Sequence, residues 1–212
     1  MVLAGLFASV LFLGLILGDW LYFVRFTPDA IRYGCSVARN QERWTASTVE
    51  TVRSRFSPDG VLMLPHGIAR FYPDLSQIAI RPQYRFFSIG FRSAWPVKGL
   101  IYLSAADQGT DALCVKRIPW SSALMTLLWF GVVLIGSLVF VVTYAWDGGF
   151  ASLEGVLMGV GLVAGAVLVL AAGLVTVTMS YRLENHRLMQ VYEELRGTLE
   201  GPTCPTPDGT MS

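Results

Sequence analysis

Residues 121–144 and 155–180 contain no charged side chain. No other feature limits the fold as strongly. A helix needs ~20 apolar residues to cross a hydrocarbon core of ~30 Å at ~1.5 Å per residue. Both runs exceed that length, whereas a buried helix in a soluble domain is usually shorter. The composition agrees: 15% of the chain is charged, against ~25% in soluble domains. Residues 2–24 form a third apolar run, broken only by Asp19 and ended by Arg25. No Lys or Arg precedes it, and no small-residue cleavage pattern follows, so it reads as an uncleaved anchor and not as a signal peptide. Asp19, beside Trp20 and Tyr22, then falls near one end of the helix, where an interface tolerates a carboxylate.

The basic residues predict the orientation. Lys and Arg near span ends favour the cytoplasmic side, and acids count for little. Arg25 and Arg32 follow the first span, Lys116 and Arg117 precede the second, and Arg182 and Arg187 follow the third. The turn Tyr144-Ala-Trp-Asp-Gly-Gly-Phe150 carries no base. The N-terminus and this turn are therefore expected outside, with residues 26–118 and the C-terminus cytoplasmic. Asp147 has a local explanation, because Asp-Gly-Gly is turn chemistry. Tyr144, Trp146 and Phe150 suit the headgroup level. Ser152 can cap the third helix, with Glu154 in its positive first turn.

Between the first two spans the pattern changes. Thr27-Pro28-Asp29 is a helix start, and a helix is expected from there to about Trp44, weakened by Gly34. Turn signals at 57–60, 65–67, 72–74, 81–83 and 107–111 then separate short runs rich in β-branched and aromatic residues, at 61–64, 68–72, 77–81, 84–91, 98–104 and 112–118. That spacing predicts an antiparallel meander or small barrel. The expected fold is an α+β membrane protein. Its parts are spans at 1–25, 119–145 and 153–181, a cytoplasmic domain of helix then β-meander at 26–118, an outer turn at 146–152, an amphipathic juxtamembrane helix at 182–200 and a flexible tail at 201–212. Residues 58–118 resemble membrane-tethered domains with a pleckstrin-homology-like sheet. That resemblance rests on no specific motif and implies lipid or protein binding only.

Three groups of residues are candidates for interaction. Gly155 and Gly159, and Gly161 and Gly165, are each four apart in the third span, a spacing that lets helix backbones approach closely. They suit either a partner helix or the second span. Arg81, Arg85, Arg92, Trp95 and Lys98, with Arg70 and the aromatics among them, could meet anionic headgroups or a partner protein. Leu188, Tyr192, Leu195 and Leu199 recur as an apolar stripe on the helix leaving the third span. That stripe needs cover from the β-domain or from a neighbouring subunit.

Catalytic chemistry is not expected. His66 lies in a Pro-His-Gly turn and His186 on the juxtamembrane helix, neither with triad or ligand spacing. Cys35, Cys114 and Cys204 are far apart and odd in number, which suggests neither a disulfide framework nor a metal site. No phosphate loop, nucleophile elbow or zinc motif is present. No cofactor, metal, nucleic acid or small-molecule substrate is implied. The expected partners are membrane lipids and other membrane protein subunits. The expected function is a non-catalytic accessory or assembly subunit of a membrane complex; the alternative is a membrane-tethered sensor or adaptor whose β-domain binds anionic lipid or peptide.

Overall fold

The computed structural model describes residues 2–44, 48–83, 96–106 and 109–200. Three of its helices are long and apolar enough to cross a membrane: α1 (Val2–Val24), α4 (Trp120–Trp146) and α5 (Leu153–Glu200). Between α1 and α4 the chain forms two short helices, α2 (Pro28–Ile31) and α3 (Val49–Ser54), and six strands: β1 (Cys35–Trp44), β2 (Val61–Met63), β3 (Gly67–Tyr72), β4 (Gln77–Pro82), β5 (Lys98–Ala105) and β6 (Thr110–Ile118). The strands build one antiparallel sheet in the order β1-β6-β5-β4-β3-β2.

Five strands fall where the turn signals and β-branched runs predict them. The run at 84–91 lies outside the described residues, as does the tail at 201–212. The helix expected from Thr27 to Trp44 is corrected: it stops after the four residues of α2, and 35–44 is an edge strand. Gly34, three residues past the helix and directly before β1, takes φ +110°, a left-handed value that turns the chain into the strand, and a Cβ there would lie 2.6 Å from the Ile118 carbonyl oxygen. From Cys35 onward the backbone pairs with β6 out to Trp44–Thr110, with an irregularity between Ser36 and Ala38. Arg, Gln, Glu and Ala in this stretch are good helix formers. A complete ladder with β6 outweighs that weak local preference.

Alternation along the strands gives the sheet two unlike faces. Ala69, Phe71, Ile78, Ile80, Ile101, Leu103, Ala112 and Cys114 are buried on the face that meets α5. Arg70, Tyr72, Ala79, Arg81, Lys98, Leu100 and Arg117 have the opposite parity and face the chain that leaves α1. Burial raises the pKa of the Cys114 thiol to about 11.

The third apolar helix and the juxtamembrane helix are one continuous element. The distal part of α5 lies across β3 and β4, and Leu188, Val191, Tyr192, Leu195 and Leu199 are buried in the core there. Gly67 lets the helix come this close, since a Cβ would stand 2.5 Å from a Val191 methyl. Polar contacts fix the register. Lys116 Nζ donates to Asn185 Oδ1 at 2.6 Å. Tyr192 Oη donates to Glu42 Oε2 at 3.0 Å, and its ring lies 6.2 Å from that of Trp44. His66 meets Glu194 through both its backbone N–H and its ring Nδ1.

At the other end of α5 the turn follows local chemistry. Gly148 takes φ +74°, Gly149 N–H donates to the Tyr144 carbonyl at 2.9 Å, and Ser152 Oγ accepts from Gly155 N–H at 3.1 Å. The Phe150 ring stands edge-on to Tyr144 at 5.2 Å.

Candidate functional site

The α1-facing side of the sheet forms a clasp. The last four carbonyls of any helix lack intrahelical partners, and α1 has no basic residue in its last turn to serve them. Side chains of the sheet do so instead. Lys98 on β5 donates to the carbonyls of Phe23, at 3.3 Å, and of Ala30. Arg81 on β4 donates to the Val24 carbonyl at 2.6 Å and packs over the Phe26 ring. Arg70 and Tyr72 on β3 both donate to the Phe26 carbonyl, at 3.0 and 2.6 Å. Arg117 on β6 donates to the carbonyls of Arg32 and Gly34, at 2.7 and 2.9 Å. Cations at a helix C-terminus are further favoured by the macrodipole.

Lys98 is the centre of the clasp. It is 6% exposed, and its ammonium lies 4.2 Å from the Phe23 ring centroid. Burial, with Arg117 adding repulsion, pushes its pKa down to about 7.

A second cross-element cap lies beside the first. α4 starts after Pro119, which has no side-chain cap. Asp19 of α1 supplies one, its Oδ2 accepting from Ser121 N–H at 3.0 Å, while its Oδ1 accepts a hydrogen bond from the Tyr33 hydroxyl. That bond pushes the Tyr33 pKa up to about 12. The one carboxylate in α1 thus ties α1, the following linker and the start of α4 together.

The structure places the candidate residues as follows. Leu188, Tyr192, Leu195 and Leu199 share one buried face and are covered by the chain's own sheet. Arg81 and Lys98 belong to the clasp; Arg85, Arg92 and Trp95 lie outside the described residues. Of the glycines, Gly155 and Gly159 are occupied within the hairpin: a Cβ would stand 1.8 Å from the Gly149 carbonyl oxygen at Gly155 and 2.3 Å from the Phe150 ring at Gly159. Gly161 and Gly165 have nothing within 4 Å. Gly173, further along the same helix, is where the Trp129 ring of α4 approaches. Arg117 and Tyr72 are also clasp residues; the sequence marks Arg117 only as a base setting orientation and Tyr72 only as one of the aromatics among the basic residues. The signal for them is parity: each alternates with residues that face α5.

No protein-family model matches this chain, and no curated protein matches it either.

Proposed function

We propose that this protein is a non-catalytic accessory or assembly subunit of a membrane complex, binding partners through its apolar helices and its β-domain. One observation carries this reading. α1 is gripped at its C-terminal end, and its described side chains between there and Gly5 present a largely exposed apolar surface. Val10, Leu11, Phe12 and Leu13 together circle the helix, and all are at least 46% exposed. Gly161 and Gly165 add an open small-residue face on α5 suited to close helix approach. In the proposed topology the N-terminus and the turn around Asp147 lie outside, and the sheet lies on the cytoplasmic side with the C-terminus.

Purification in mild detergent, with mass spectrometry of co-purifying chains, should find stoichiometric membrane partners. Gly161→Leu or Gly165→Leu should still insert but lose such a partner, while Gly159→Leu should disturb the hairpin itself. A cysteine replacing Asp147 should label from outside intact cells, and one replacing the exposed Met63 should not. A lone monomer that loses nothing on these substitutions would sink the assembly reading.

The second reading is a tethered sensor or adaptor for anionic lipid or peptide. A cleft of about 270 Å³ beside Arg53, Phe56, Arg70 and Tyr72 favours it. Saturable binding of anionic liposomes by the isolated protein would support it.

A further inference from the structure

We propose that the cationic face of the sheet is a lipid-sensitive latch: anionic headgroups compete with the carbonyls of residues 23–34 for Arg70, Arg81, Lys98 and Arg117, and release the end of α1 while α5 stays on the sheet. This goes beyond the assembly reading and holds whether or not a partner subunit exists.

The position of the four cations is the first support. Arg81 reaches the carbonyl of Val24, the last residue of α1. Arg117 sits three residues before Trp120, the first residue of α4. The clasp therefore lies where two apolar helices end together, which is the level of the headgroups in a bilayer. Arg25 and Arg32 stand exposed at the same level. Basic side chains so placed are attracted to anionic leaflets.

Their present partners are the second support. The hydrogen bonds described for the clasp end on main-chain carbonyls, which are neutral acceptors. Among the described residues Arg70, Lys98 and Arg117 have no carboxylate partner. A phosphate is a charged acceptor and binds guanidinium more strongly than an amide carbonyl does, with bidentate geometry open to arginine. Carbonyls left behind at the interface are rehydrated. Lys98 and the arginines thus have a good alternative in the headgroup layer.

The unequal attachment of the two faces is the third support. α5 is sealed by a continuous apolar core that has no alternative partner in water. The α1 face holds a smaller cluster of Ile31, Tyr72, Ala79 and Leu100, with Phe26 and Tyr102 packed against it. Release of residues 25–34, the strap between α1 and β1, leaves the larger core intact. Phe26 and Tyr22 are aromatics of the kind that rest at a membrane interface.

Hydrogen exchange on the full chain in nanodiscs tests the latch. Amides of the strap report directly, because Ile31 N–H bonds the Thr27 carbonyl and Tyr33 N–H bonds the Ala30 carbonyl. Replacing phosphatidylcholine by an equal mixture with phosphatidylglycerol should speed exchange across 25–34, by about fivefold for each base that moves to the surface. Exchange across 188–199 should stay unchanged. Lys98→Met and Arg81→Leu should each speed exchange at 25–34 in pure phosphatidylcholine and reduce the response to phosphatidylglycerol. A wild-type strap indifferent to phosphatidylglycerol overturns the proposal. So does a response in which 25–34 and 188–199 open together, or one that persists at full size in both variants.

Discussion

The two faces of the sheet hold their helices by different physics. Against α5 the contact is mainly apolar, with Leu188, Val191, Leu195 and Leu199 at most 3% exposed and a few polar pairs beside them. Each such side chain contributes ~1.5–3 kcal/mol through burial. Against α1 the contact is a set of charged donors on carbonyls, each with a net value of ~1.5–3 kcal/mol at best. A buried apolar contact binds in proportion to area and tolerates small shifts. A charged donor depends on its acceptor and on what competes for it. The α5 face should therefore set the stability of the sheet, and the α1 face should respond to pH, salt and surface charge.

The largest expected effect breaks the apolar side. Leu195→Asp places an unpaired carboxylate among Leu188, Tyr192 and the strands, and should cost about 4 kcal/mol or more. Limited proteolysis of the sheet domain should accelerate sharply. Unchanged proteolysis would mean that α5 is dispensable to the sheet. Gly67→Val is the next smaller change. Its side chain would press on Val191 and on the Arg81 carbonyl oxygen, 2.5 and 2.6 Å from the new Cβ. A cost of about 1–3 kcal/mol is expected, seen as a lower thermal midpoint, with exchange rising at 188–199 first. If residues 25–34 open first instead, the ranking of the two faces is wrong.

The smallest effect, at most about 1.4 kcal/mol per unit of pH, is specific to the α1 face. The Lys98 amine titrates near pH 7 when folded and near 10.5 when unfolded. Between those values the unfolded chain holds a proton that the folded chain has released, so stability should rise with pH across this window. Below pH 7 both states are charged and the dependence should level off. Thermal midpoints from pH 6 to 10 should show this rise in the wild type, and Lys98→Met should flatten it. An equal slope in the variant would remove Lys98 as its source.

Several features could be read from residues alone because their causes are local. Residues 121–144 and 155–180 are long and uncharged, which is enough to make helices that can cross a membrane. Gly148 and Ser152 act within a few positions of themselves, so the turn chemistry around Asp147 appears as expected. The stripe at 188–199 needed only helical periodicity to be recognised, though not to know what covers it. Tertiary structure decided the rest. The strand at 35–44 exists because β6 offers a ladder to a segment whose own preferences lean towards helix, and Gly34 turns the chain into place. Asp19 reads as a tolerated interfacial acid, but its partners Tyr33 and Ser121 lie 14 and 102 positions away. Lys98 likewise finds the Phe23 and Ala30 carbonyls 75 and 68 positions back. Helix ends leave polar groups unsatisfied wherever they fall; which distant side chain satisfies them depends on the sheet's register and on which face each residue takes, and no local pattern encodes either.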